Sequence, residues 1–206
     1  MADADAATPA EILAFWREAG YDRWYTRDDA FDAEIRRRYL GLWRKAADGE
    51  LSSWETSDDG ALALVIVLDQ FPRNLFRGEA QAYSTDRTAR EVARRAIDRG
   101  ADGRIDPQLR EFLYLPFMHS EEIADQLHCV ELFRNAANAE NLEYAKSHAD
   151  IIRSAASRIV TTCSGERRRP RSRLSWTLAD FPDDDIQVMA VAVSAAANIV
   201  RRSRSV

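Results

Sequence analysis

The chain has 206 residues, 46% of them hydrophobic, and a formal net charge of −5; that length is enough for one sizeable core, because a domain of this size buries most of the surface its unfolded chain exposes. No stretch approaches the roughly 20 apolar residues needed to cross a bilayer, and no opening segment joins a basic end to an apolar run, so a cytoplasmic protein with no membrane partner is expected. Residues 154–206 hold nine Arg, no Lys and five acids, which leaves 20 basic and 29 acidic residues for 1–153; a body this acidic argues against a nucleic-acid binder, which needs a basic face to neutralise phosphates.

Helices with marked ends fill the first three quarters. Thr8-Pro9-Ala10-Glu11 reads as a capping box with proline at the first helical position, followed by Ile12, Phe15, Trp16 and Ala19 at helical spacing and then Gly20. Asp28 or Asp29 can cap a second helix whose apolar face is Phe31, Ile35, Tyr39, Leu42, Trp43 and Ala46, ending at Gly49. Ala61 to Leu68 is a continuous apolar run. Periodicity alone cannot tell a buried strand from a buried helix there, but no second strand candidate exists to pair with it and Asp58 or Asp59 can cap it, so a helix is expected.

Thr85 opens the next helix, with Ala89, Val92, Ala93, Ala96 and Ile97 on one face and Gly100 after it. Asp106-Pro107 is expected to start another that runs into Pro116, and Ser120 to cap a helix with Glu121 and Glu122 in its first turn and Ile123, Leu127 and Val130 on its apolar side. A further helix carries Leu142, Ala145, Ala149 and Ile152. Seven helices with short connections predict an all-α array of antiparallel helix pairs over residues 1–153. No strict 34-residue repeat is present, so a solenoid would be irregular. Cys129 and Cys163 have neither metal-ligand spacing nor disulfide density and are expected as free thiols.

Two segments carry polar chemistry. In Asp69-Gln70-Phe71-Pro72-Arg73-Asn74-Leu75-Phe76-Arg77, Pro72 must end or kink a helix arriving through Leu68, because it lacks an amide hydrogen and clashes with the preceding turn. Arg73 and Arg77 would project together if the second half is helical and could clamp a carboxylate or phosphate. In the second segment, His119 precedes Ser120-Glu121-Glu122, with Glu122 and Gln126 on one helical face and Glu121 and Asp125 on another. A histidine beside acids and arginines could serve as a general base; equally, it could be a capping or hydrogen-bonded structural residue. No second His or Cys has the spacing of a metal site. Ion pairs that fix helix register are the plain alternative for Asp69, Arg73, Arg77, Glu121 and Asp125. The ligand-site candidates are thus Asp69, Gln70, Arg73, Asn74, Arg77, His119, Glu121, Asp125 and Gln126. The five tryptophans are expected to fill the core, and nothing in their arrangement implies a cofactor.

Phe15-Trp16, Phe31-Asp32, Gly49-Glu50-Leu51 with Trp54, the run Asp69 to Asn74 with Arg77-Gly78, Pro116-Phe117, His119-Ser120-Glu121 and Asp125-Gln126 together resemble the bacterial domain-of-unknown-function family 924 over about residues 10–153. The resemblance implies an all-α fold similar to tetratricopeptide-like helical arrays and no accepted activity. Met118 stands where the family usually has an acid.

After Arg153 the chain departs from the family, whose members typically continue into Phe-Gly-Arg-Phe-Pro-His-Arg-Asn and a short tail. One allowed coding of Arg153 to Thr161, CGT-TCG-GCC-GCT-TCC-CGC-ATC-GTA-AC, gives that motif when read one base out of register. Residues 154–206 therefore read as an out-of-frame tail, expected to be mostly irregular over 154–185, with the Arg167 to Arg173 cluster carrying no evolved role. Two functions follow as expectations: a helical scaffold or binding module, or an enzyme or binder of a small anionic ligand at a polar site between helices.

Overall fold

A computed structural model describes residues 7–163, with side chains through Ser154, and every regular element among them is helical. No helix among the described residues is long and apolar enough to cross a membrane. The chain divides into two compact units, one through His119 and one from Ser120 onward; the sequence reading, which took 1–153 as one body, carries no sign of this subdivision.

In the first unit α1 (Pro9–Tyr25) starts at the expected capping box: Glu11 N–H bonds to Thr8 Oγ1, and the Glu11 carboxylate accepts from Thr8 N–H at 2.7 Å. Gly20, at φ 72, kinks the helix, a backbone region that glycine enters without steric penalty. Asp28 caps α2 (Asp29–Ala47), accepting from Ala30 and Phe31 N–H. The apolar faces of α1 and α2 close on one aromatic cluster. Phe15 stacks on Phe31 at 5.4 Å and meets Tyr39 edge-on at 5.0 Å, while Trp16 contacts Phe71 at 5.8 Å and Phe112 at 5.5 Å. Each such ring contributes about 1.5–3 kcal/mol through burial.

The apolar run is indeed helical, and Ala61 to Leu68 are all buried. It forms α3 (Asp58–Val65), a widened turn Ile66–Gln70, and α4 (Phe71–Leu75). Its cap is Ser57, whose hydroxyl accepts from Gly60 N–H at 3.1 Å, and Asp58 and Asp59 lie in the first turn instead of capping it. After α5 (Asp86–Asp98), Gly100 at φ 73 ends the helix, and Ala89, Val92, Ala93 and Ala96 are buried as expected.

The helix expected from Asp106 does not form. Asp106 Oδ1 accepts from Gln108 N–H and Asp106 O accepts from Leu109 N–H, closing a tight turn of the i to i+3 kind. A 3-10 turn (Arg110–Leu113) and the short α6 (Leu115–Met118) follow.

The second unit pairs α7 (Ile123–Asn135) with α8 (Ala139–Cys163) across a short connection in which Ala137 has φ 55 and Asn138 Oδ1 accepts from Asn141 N–H. Two expectations need correction. Ser120 lies before α7 and does not sit at its cap, and Ile123 and Leu127 are exposed at 38% and 51% while Asp125, Gln126, Cys129, Val130 and Phe133 are buried. The buried face follows 126, 129, 130 and 133, so of the residues read from sequence as the apolar side Val130 lies on it and Ile123 and Leu127 are rotated off it. α8 also continues helically through Cys163, so 154–163 is not irregular; residues 164–206 lie outside the described residues.

Candidate functional site

The helix running from α3 into α4 is irregular where the polar segment begins. Phe71 N–H bonds to Ile66 O, five residues back, so the turn at Ile66–Gln70 is wider than an α-turn; single turns of this kind recur at functional sites. In a regular helix Leu68 O would accept the amide of residue 72, but Pro72 has none. The Thr85 hydroxyl donates to Leu68 O at 2.5 Å instead, and the Arg73 guanidinium donates to Asp69 O. Pro72 therefore does not terminate the helix as a kink would: α4 continues, and side chains satisfy the backbone it leaves open.

This turn directs Asp69 inward, with no exposed surface. Asp69 Oδ1 lies 2.9 Å from His119 Nδ1 and 3.3 Å from Arg73 Nη1, and Oδ2 accepts from Gln70 Nε2 at 2.5 Å. Asp86, at the start of α5, holds the same guanidinium in a two-point pair of 2.9 and 3.1 Å. The guanidinium also sits 5.6 Å over the Tyr83 ring. Its Nε is buried with no hydrogen-bond partner.

Burial opposes ionisation of Asp69, but Arg73 and then His119 outweigh it and hold the carboxyl down at about 2. Burial pushes Asp86 up, with Arg73 partly offsetting it. Two carboxylates sharing one guanidinium are thus driven apart: Asp69 is a fixed anion, while Asp86 binds a proton more readily than an ordinary aspartate.

An ionised Asp69 can only accept, so His119 must present Nδ1–H to it, and in the neutral ring the lone pair then resides on Nε2. His119 Nε2 makes no hydrogen bond among the described residues, and the side chain is 13% exposed. Arrangements in which a buried carboxylate fixes the tautomer of a partly open imidazole are suited to general-base chemistry.

The other candidates are placed as follows. Arg77 forms a two-point pair with Asp32, Nε to Oδ2 at 2.9 Å and Nη2 to Oδ1 at 3.1 Å, and Asn74 Nδ2 donates to Asp32 Oδ1 at 2.7 Å. Arg73 and Arg77 therefore face different carboxylates and do not form the joint clamp that their spacing suggested. In the second unit, Ser120 Oγ donates to Asp125 Oδ2 at 2.7 Å and accepts from Glu122 N–H, and Gln126 Nε2 donates to Ser120 O at 2.5 Å. Glu121 is exposed. Among the described residues no group of three His, Cys, Asp or Glu side chains is placed to hold a metal ion.

Sequence reasoning missed Asp86 and Thr85 as parts of the site. Both were legible only as a helix start, and their role arises from contacts with residues 13 and 17 positions earlier.

The model of a family described as bacterial protein of unknown function (DUF924) matches residues 12–155. A solved structure of a protein of unknown function from Agrobacterium tumefaciens is similar at 38% identity and a TM-score of 0.70, covering 79% of this chain and 92% of that one. No curated protein matches the sequence. With the family match spanning more than half its length and the fold shared with the bacterial structure, the chain belongs to the DUF924 family of bacterial proteins.

Proposed function

We propose that the unit ending at His119 houses a small-molecule site in which His119 acts as a general base and Asp69 orients it. The observation that carries this reading is the 2.9 Å contact between a wholly buried, ionised carboxylate and Nδ1 of a partly exposed imidazole whose Nε2 is unbonded among the described residues. The reaction class is abstraction of a proton from a substrate or water at Nε2. Both arginines of the segment are paired with carboxylates, which weighs against the anionic ligand expected from sequence.

The test needs no substrate. A long-range proton–nitrogen correlation spectrum of the imidazoles should show that the neutral ring of His119 carries its proton on Nδ1 and is bare on Nε2, the reverse of the tautomer that free histidine prefers. Diethyl pyrocarbonate should then acylate His119 Nε2. Finding the proton on Nε2 in the neutral ring would remove the reading.

A scaffold or protein-binding role is the second reading, supported by the many arginine–carboxylate ties that join separate elements, among them Arg77–Asp32, Arg95–Glu55 and Arg104–Asp58. We also infer an irregular tetratricopeptide-like array and a cytoplasmic setting, the latter supported by a cysteine content of two, far below the density of a disulfide scaffold. The out-of-frame origin of the last fifty or so residues stays a proposal resting on the coding argument. Sequencing the gene across codons 152–158 checks it, since third bases incompatible with the shifted motif would remove it.

A further inference from the structure

The geometry points to Thr85 as a positioning residue for the Asp69–His119 pair, an inference that rests on the proposed general-base reading. Thr85 occupies the N-cap position of α5, where a threonine hydroxyl ordinarily accepts from an amide of the first turn and stabilises the helix by about 1 kcal/mol. Here it makes no such bond. The hydroxyl is buried and donates at 2.5 Å to Leu68 O, the carbonyl to which Pro72 has no amide to offer, one residue before Asp69. Trp43 Nε1 donates to the same hydroxyl oxygen at 3.4 Å and so leaves its proton directed at Leu68 O. Loss of the Thr85 hydroxyl removes a buried hydrogen bond from the wide turn, and rotating the peptide that joins Leu68 to Asp69 is the direct way for the turn to adjust. That rotation moves the Asp69 carboxylate away from His119 Nδ1. Thr85 thus ties the start of α5, which also carries Asp86, to the backbone that aims Asp69.

The experiment compares the full chain with T85V, which keeps the shape and removes the hydroxyl, and T85S, which keeps the hydroxyl. The readouts are the His119 tautomer from imidazole nitrogen shifts and the rate of diethyl pyrocarbonate acylation at His119, with His128 and His148 as controls within the same sample. In T85V the Nδ1–H form should lose population and acylation of His119 should slow by about tenfold, the factor carried by one lost hydrogen bond to a charged group; T85S should restore both. If T85V does not fold, T85A removes the same hydroxyl and carries the test. A wild-type tautomer and rate in the hydroxyl-less variant, or failure of T85S to restore them, overturns the assignment. If the wild-type chain itself lacks the Nδ1–H tautomer, the general-base reading fails first, which separates the two outcomes.

Discussion

Asp69 Oδ1 meets His119 Nδ1 at 2.9 Å across fifty residues of sequence, and Asp69 reaches it from a turn in which a backbone amide bonds five residues back just before a proline. The contact joins a fully buried charge to a partly exposed side chain. Its consequences can be measured in stability as well as in chemistry.

Asp69→Asn should destabilise the protein by about 3 kcal/mol, the lower end of the range for breaking a buried pair, because Asp86 still holds Arg73 after the change. Urea denaturation of the two proteins under identical conditions measures it. A difference below about 0.5 kcal/mol, the size of an ordinary surface substitution, would mean that the Asp69 charge holds nothing in place.

The pH dependence has a definite sign. The Asp69 carboxyl is held at about 2 in the folded chain, below its unfolded value near 3.9. Its stabilisation is therefore fully present above the unfolded value and is lost as pH falls through about 4 towards 2. Asp86, raised by burial, acts in the opposite direction: its contribution is present at low pH and lost as pH rises through its folded value. Thermal melts between neutral pH and pH 2 should show an acid limb that is flatter in Asp69→Asn. An equally steep limb in the variant would assign the acid sensitivity to other carboxylates.

Arg77→Lys should cost about 1–2 kcal/mol although it conserves charge, since an ammonium cannot reproduce the two parallel bonds of the guanidinium to Asp32. A double-mutant cycle with Asp32→Asn should give a coupling energy of about 1 kcal/mol or more. Zero coupling would show that the pair contributes only through its separate contacts.

The helices were legible where local signals agree with packing. The capping box at Thr8, the Asp28 cap and the small-residue face Ala89, Val92, Ala93, Ala96 all follow from residues close in sequence, and all form. The apolar run reads as helix by elimination, and its widened turn is invisible in the sequence because an amide bond to the fifth residue back leaves no mark beyond a following proline. Asp69, Arg73 and His119 were singled out as polar groups in apolar surroundings, but the pairing of Arg73 with Asp86 and of Arg77 with Asp32 depends on how elements pack. Helical spacing placed the arginines together; separate carboxylates on α5 and α2 draw them apart. The face of α7 departs in part from its apolar pattern for a related reason. Ile123 and Leu127 are apolar but exposed, while Asp125 and Gln126 are buried and each bonds with Ser120.

Gly60→Ala tests how closely α3 is set against the chain before it. Replacing a glycine inside a helix by alanine ordinarily gains about 1 kcal/mol, and the backbone of Gly60 is ordinary, so propensity alone predicts stabilisation. A Cβ built there, however, would lie 2.1 Å from Trp54 O and 2.7 Å from Ser57 Oγ. The serine side chain can rotate away only by giving up its cap bond to the residue 60 amide, and the Trp54 carbonyl belongs to the backbone and cannot rotate away at all. The 3-10 turn at Ser52–Thr56 would have to shift, so overpacking at the upper end of its usual range of about 1–3 kcal/mol should outweigh propensity and leave a net loss of about 2 kcal/mol. Gly103→Ala is the control, since a Cβ there meets nothing within 4 Å. The melting temperature of Gly60→Ala should fall by several degrees, at about 2–4 °C per kcal/mol for a chain of this size, while that of Gly103→Ala stays near wild type. A Gly60→Ala protein as stable as wild type would mean that the Ser52–Thr56 turn yields freely, and that the start of α3 is not fixed by its contact with Trp54.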